Sequence, residues 1–199
     1  IDFLKNELIN LKKEKNKKFR RDIFRMFIDR TFTVKGFGTI VTGTISSGTI
    51  NKGDDLELLP SCNKVKVRGL QSHDADVESL DSGSRVAINL HFNDKIKIKR
   101  GYHLSAQGYF EITKIIAVRL KLLSKTKKFN IKNNQRVRIN IGTQESIGRI
   151  LLIEKDFISS SVVIIKLERE IVVSFKDKFI LRAFSPITTI AGGEVLDCN

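Results

Sequence analysis

Two hydrophobic periods run along this 199-residue chain, and the change between them organises everything else. Residues 1–11 place Ile1, Leu4, Leu8 and Leu11 at steps of three and four, which predicts one apolar stripe of an amphipathic helix. Lys12, Lys13, Lys15, Lys17 and Lys18 follow with no apolar residue until Phe19. That run reads as a solvated helix end or tether, with direct RNA contact as the other reading. From Phe24 the period becomes two: Phe24, Met26, Ile28, Phe32 and Val34 share one parity, interrupted only by Arg30. Short β-branched runs then recur at Thr39–Ile45, Leu56–Leu59, Lys64–Leu70 and Arg85–Leu90. They continue at Ile115–Leu123, Arg136–Ile141, Ile147–Ile153, Val162–Leu167 and Lys178–Phe184. Turn residues separate them, as in Lys35-Gly36-Phe37-Gly38, Asn51-Lys52-Gly53-Asp54 and Ser82-Gly83. About ten short strands without helical crossovers predict an all-β chain of antiparallel barrels or sandwiches. The length accommodates two such units, with the seam near Gln107–Thr113. The expected division is 1–22 helix and basic linker, 23–110 first β domain, 111–199 second.

Charge adds a partner. The chain carries 36 Lys+Arg against 22 Asp+Glu, a formal net charge of +14, which points to an anion and to RNA or DNA before acidic protein or lipid. Residues 1–30 hold ten basic and five acidic side chains, 31–110 ten and eight, and 111–199 sixteen and nine, so a polyanion is expected on the last third more than the middle. No run approaches the ~20 apolar residues of a membrane-spanning helix, and the first residues lack a signal-peptide pattern. Cys62 and Cys198 form neither a disulfide framework nor a zinc motif, so a reducing cytoplasm fits.

Enzyme motifs fail on inspection. Gly43 and Gly48 have phosphate-loop spacing, but Thr49 and Ile50 stand where Lys and Ser/Thr are required. Asn51-Lys52-Gly53-Asp54 matches a guanine-reading NKxD pattern but follows a strand directly, where a tight turn is expected. His73, His91 and His103 show no metal spacing and no adjacent nucleophile, and read as solvated or structurally paired. No catalytic residue and no metal ligand emerges. The chain reads as a binding module.

The run Phe27–Thr44 resembles the opening strands of the second domain of the elongation factor Tu superfamily of translational GTPases. Within it, Val67–His73, Ser82–Leu90 and Ile98–Gly101 resemble the bacterial selenocysteine-specific elongation factor family, SelB. Gln135–Arg138, Gly142-Thr143 and Leu181–Gly193 are similar to that family's third domain. The resemblance covers nearly all of 22–199. It implies two consecutive β-barrels of the translation-factor type, preceded by a short N-terminal helix that ends a GTPase domain. It also implies that the chain is a piece of a longer factor, with GTP and magnesium bound by that upstream domain and none by these two. Winged-helix domains that bind an mRNA hairpin would follow. The implied partners are selenocysteyl-tRNA and the ribosome, with no membrane.

By place in the motif, the aminoacyl pocket would involve Asp29, Arg30, Phe32, Ile40, Ser84 and Arg85. Arg30 on an apolar parity needs an anion, a pairing carboxylate such as Asp29, or a strand bulge that turns it outward. Arg85 begins a strand whose inward set is Val86, Ile88 and Leu90. Arg136, Arg138, Arg182, Ser185 and Thr188 are implied contacts to the tRNA stems. The competing expectations are the equivalent barrels of a general elongation or initiation-factor-like GTPase, and a non-enzymatic RNA-binding scaffold.

Overall fold

The computed structural model describes residues 23–36, 38–92, 96–123, 131–153 and 160–198. The helix and basic linker expected over 1–22 lie outside them. All regular structure among the described residues is β, in fifteen strands. The first nine are β1 (Arg25–Val34), β2 (Gly38–Ser47), β3 (Thr49–Asn51), β4 (Asp55–Leu59), β5 (Asn63–Ser72), β6 (Ala75–Val77), β7 (Ser79–Asp81), β8 (Arg85–His91) and β9 (His103–Ser105). Hydrogen bonding runs β4-β9-β1-β2-β8-β5, and β4 pairs with β5 to close a six-stranded barrel. β6 extends the β5 edge, and β3 with β7 forms a separate two-stranded piece.

The remaining six are β10 (Ile112–Leu122), β11 (Gln135–Ile141), β12 (Gln144–Leu152), β13 (Ser160–Val172), β14 (Lys178–Ala183) and β15 (Thr189–Asp197). They close a second barrel in the order β10-β13-β12-β11-β14-β15. All pairings in both barrels are antiparallel. Each barrel has its own apolar core. Met26, Ile28, Leu58, Ile88 and Leu104 centre the first, and Ile116, Leu120, Ile139, Ile165 and Leu181 the second.

Alternation locates the long strands and misses the short ones. β3, β6, β7 and β9 have three residues each, too few to show a period. Gly192-Gly193 hides β15, and close packing explains the second glycine. A Cβ on Gly193 would lie 2.1 Å from the Arg119 carbonyl and 2.8 Å from the Phe179 ring. The NKxD look-alike is a turn: Gly53 has φ +92°, and the Asn51 amide donates to Asp54 Oδ2 at 2.8 Å. Gly43 lies within β2 and Gly48 follows it at φ +68°, so these residues provide neither a phosphate loop nor a guanine site.

The barrels meet in a packed seam. Arg25, 2% exposed, reaches from β1 into the second barrel, where its Nη1 donates to both carboxylate oxygens of Asp177 at 2.8 Å. Its guanidinium lies 4.6 Å from the Phe27 ring centroid and 4.8 Å from that of Phe110. Arg25 Nη2 donates to the Val172 carbonyl at 3.3 Å, and Nε donates to His103 Nδ1 at 3.4 Å. Phe27 fills the space above Gly142, where a Cβ would come within 2.3 Å of its ring. Thr143 Oγ1 donates to the Ile28 carbonyl at 2.7 Å. A charge this deep is tolerated because it is paired and its other donors are satisfied.

Candidate functional site

Strand register builds the first candidate face. Antiparallel partners present their side chains on the same side of the sheet. One outward row across β1, β2, β8 and β5 is therefore Phe32, Ile40, Asn89 and Gly69. The next is Arg30, Thr42, Ala87 and Gln71, and beyond it Thr44 lies opposite Arg85. Val86, Ile88 and Leu90 point inward and are buried, as the alternation of that strand predicts.

Arg30 departs from the parity read in the sequence. A register shift between Ile28 and Arg30 places a bulge at Asp29, so Phe24, Met26 and Ile28 are buried while Arg30, Phe32 and Val34 turn outward. The bulge has a nonlocal cause. Ile28 is held by the Gly101 amide at 3.1 Å and by Thr143, while its own amide donates to the Tyr102 carbonyl at 2.8 Å. Of the three readings of Arg30, the outward bulge is the one found.

Arg85 and Asp29 join across β2: Nη2 donates to Oδ2 at 3.1 Å, with 57% of the arginine side chain exposed and 25% of the aspartate. Arg30 has no carboxylate partner among the described residues. Two strand spacings across and two residues along separate the arginines, about 12 Å between Cα atoms, so two extended guanidiniums can meet one small anion. The face is open rather than dry, which lowers the worth of each charge–charge contact. Ser84 stands in the turn before β8, its carbonyl accepting from the Ile45 amide at 3.0 Å.

Two clefts flank these rows. One of about 330 Å³ includes Ile40, Arg68, Gln71, Ala87 and Asn89, and one of about 260 Å³ includes Thr42, Ser72, His73, Arg85 and Ala87. Thr42 Oγ1 and Asn89 Oδ1, on these rows, are buried and have no hydrogen-bond partner among the described residues. Sequence reasoning did not select them. The alternation of β8 places Asn89 on the side of Arg85 and was the available signal.

The second face lies on β12, β11 and β14. Arg136 stands opposite Arg149, and Arg138 opposite both Ile147 and Arg182, so the structure brings all three predicted arginines together. Arg136 and Arg138 cover the Phe184 ring at 4.1 and 5.1 Å from its centroid. Ser185 and Thr188 lie in the exposed loop after β14, closed by the Ala183 amide donating to the Thr188 carbonyl at 2.8 Å. Arg149 and Phe184 were not selected from the sequence.

The histidines belong to neither face as reactive groups. His73 is exposed at φ +50°, and His91 Nδ1 lies 2.8 Å from Arg68 Nη2. His103 is fully buried in the seam, where burial first and the Arg25 charge second hold its pKa well below 6.5. Among the described residues no three His, Cys, Asp or Glu side chains gather as a metal-ion site. None of them forms a helix long and apolar enough to cross a membrane.

Comparisons with known proteins agree with this architecture. Residues 38–105 match the family model of elongation factor Tu domain 2, and 116–199 match that of the selenocysteine-specific elongation factor β-barrel domain. The chain is 30% identical over 148 residues to a selenocysteine-specific elongation factor of Desulfomicrobium baculatum, covering 73% of this chain and 23% of that protein. It is 36% identical over 169 residues to one from Methanocaldococcus jannaschii, covering 73% of this chain and 35% of that protein. It thus spans about a quarter to a third of the length of these relatives. A crystal structure of a bacterial selenocysteine-specific elongation factor superposes with TM-score 0.84 at 26% identity, covering all of this chain and 32% of that one.

Proposed function

The chain belongs to the selenocysteine-specific elongation factor family, and on that premise we propose that its two barrels hold selenocysteyl-tRNA for delivery to the ribosome in the cytoplasm. The first barrel receives the aminoacyl end on the face of Asp29, Arg30, Phe32, Ile40, Ser84 and Arg85. The second meets the tRNA stems with Arg136, Arg138, Arg182 and the Ser185–Thr188 loop.

The observation that carries this reading is the shared outward face of Arg30 and Arg85, with Arg30 unpaired among the described residues. A selenol is more acidic than a thiol, so at neutral pH selenocysteine carries a selenolate. Serine, with which the same tRNA is first charged, is neutral and nearly the same size. Shape separates such side chains by only about 1–3 kcal/mol. Charge separates them further, because arginines facing a neutral hydroxyl gain nothing. On an open face each exposed pair contributes about 0.2–1 kcal/mol. An upstream GTPase domain closing over this face would exclude water and raise that contribution. Asp29 holds Arg85 in place until the anion arrives. GTP and magnesium belong to that domain; no step here runs through them. An mRNA hairpin would be met by parts of the protein beyond these barrels.

The test is binding by the full-length factor. Arg30→Ala and Arg85→Ala should each narrow the affinity ratio between selenocysteyl-tRNA and seryl-tRNA by severalfold, with seryl-tRNA affinity little changed. Equal losses for both tRNAs would instead identify a general translation-factor barrel.

A further inference from the structure

Like charges directly opposite one another destabilise a sheet, yet the second barrel sets Arg136 across from Arg149 and Arg138 across from Arg182. Two carboxylates occupy the site these charges create. Arg136 donates from Nε and Nη2 to Glu168 Oε1 and Oε2 at 2.7 and 2.9 Å, a two-point grip of the kind a phosphate accepts. Arg138 Nη1 donates to Glu145 Oε1 at 2.8 Å, and Asn140 Nδ2 donates to the other oxygen at 3.2 Å.

Each carboxylate answers more than its hydrogen-bonded arginine. Glu168 is held below the ordinary carboxylate range first by its bond from Arg136, with the charges of Arg149 and Arg169 adding. Glu145 is held down by the Asn140 and Arg138 bonds, with Arg182 adding. Both are ionised at neutral pH, so a phosphate that takes their place displaces one anion with another. Phe184 keeps the Arg136 and Arg138 guanidiniums stacked whichever anion they bind. The Nε atoms of Arg138 and Arg182 remain buried without a partner among the described residues, so two carboxylates do not exhaust the site.

Resting on the reading that this face meets tRNA, we propose that Glu145 and Glu168 are stand-in anions that occupy the phosphate positions and set the site's selectivity among RNAs. A flexible RNA that offers one phosphate at a time gains little by displacing a carboxylate already in place. A rigid A-form stem presents several phosphates at once and displaces both. Each displaced glutamate stays near the interface and cancels part of one arginine's charge. The salt dependence is then shallower than four arginines alone would give.

The experiment uses this chain with deacylated tRNA and poly(U) as probes, titrated over a range of salt. Glu145→Gln and Glu168→Gln should each strengthen poly(U) binding, by up to about fivefold, the scale of an exposed ion pair. Each should strengthen tRNA binding less, and steepen the slope of log K against log salt by somewhat under one unit. Glu168→Asp, which keeps the charge, should keep the wild-type slope. Unchanged or weakened poly(U) binding in the folded Gln variants would overturn the proposal and make the carboxylates purely structural. A Glu168→Asp slope as steep as that of Glu168→Gln would overturn it too. If instead Arg136→Ala and Arg138→Ala leave tRNA binding untouched, the RNA face itself is wrong, an outcome distinct from failure of the glutamates alone.

Discussion

On the first barrel, the outer rows from β1 to β8 carry two arginines, one joined to Asp29 and one without a carboxylate among the described residues, beside Phe32, Ile40 and Thr42. On the second, three neighbouring strands carry four arginines in two opposed pairs, and two of the four, Arg136 and Arg138, stack on Phe184 and each grip a glutamate. The sparse face mixes two charges with apolar surface, and on the proposed reading it takes a small ligand bearing one negative charge. The dense face, on the same proposal, takes a row of phosphates. On the proposed reading, one antiparallel barrel architecture presents two kinds of anion site. What separates them is the spacing of arginines on outward positions, and strand register sets that spacing.

Arg25 ties together the two barrels that carry these faces, and its loss has the largest expected effect. Arg25→Ala removes the guanidinium that grips Asp177 in the seam, while the Ser174 amide still donates to that carboxylate at 2.9 Å, and should cost about 3 kcal/mol. Urea denaturation should then show two transitions in place of one. Next in size, the Arg136→Ala/Arg138→Ala pair should lower tRNA affinity and reduce the salt slope by about one unit for each phosphate no longer neutralised. Arg30→Ala should change that slope little, because its proposed partner is the selenolate of the aminoacyl group and not a phosphate.

A pH effect comes third. His103 is neutral in the folded seam, so below pH 6.5 the unfolded chain takes up a proton that the folded chain refuses. Stability contributed by this group is complete above 6.5 and falls as pH is lowered toward the folded-state pKa, at up to about 1.4 kcal/mol per pH unit. Thermal melts between about pH 8 and about pH 5 should show the decline, and His103→Gln should flatten it. The smallest effect is expected at Lys114, exposed and 3.7 Å from an exposed Glu170. Lys114→Ala should move stability by no more than about 0.5 kcal/mol and leave both faces intact.

How much of this was legible in the sequence depended on whether the cause was local. The alternation of Arg85–His91 states which side chains face in, because an unbroken strand keeps its period. The period of β1 misleads past Ile28, since the bulge at Asp29 is held by Gly101, Tyr102 and Thr143, residues remote in the chain. Arg136, Arg138 and Arg182 could be named from their motifs. Their confrontation with Arg149 and the grip of Glu168 could not, because register across β12, β11 and β14 decides them. Arg25 and His103 were invisible as partners for the same reason. Each looks like a surface residue of one barrel until the second covers it.

If charge on the first barrel distinguishes the aminoacyl group, the distinction must fade when the selenolate is neutralised. The most direct measurement follows the affinity ratio of the full-length factor for selenocysteyl-tRNA over seryl-tRNA as pH falls through the titration of the selenol. Seryl-tRNA, which does not titrate there, corrects for changes in the protein itself. The ratio should fall toward the modest value set by shape alone, and the double variant Arg30→Ala/Arg85→Ala should begin near that value at neutral pH and stay there. A ratio that holds constant while the selenolate takes up its proton would contradict the account.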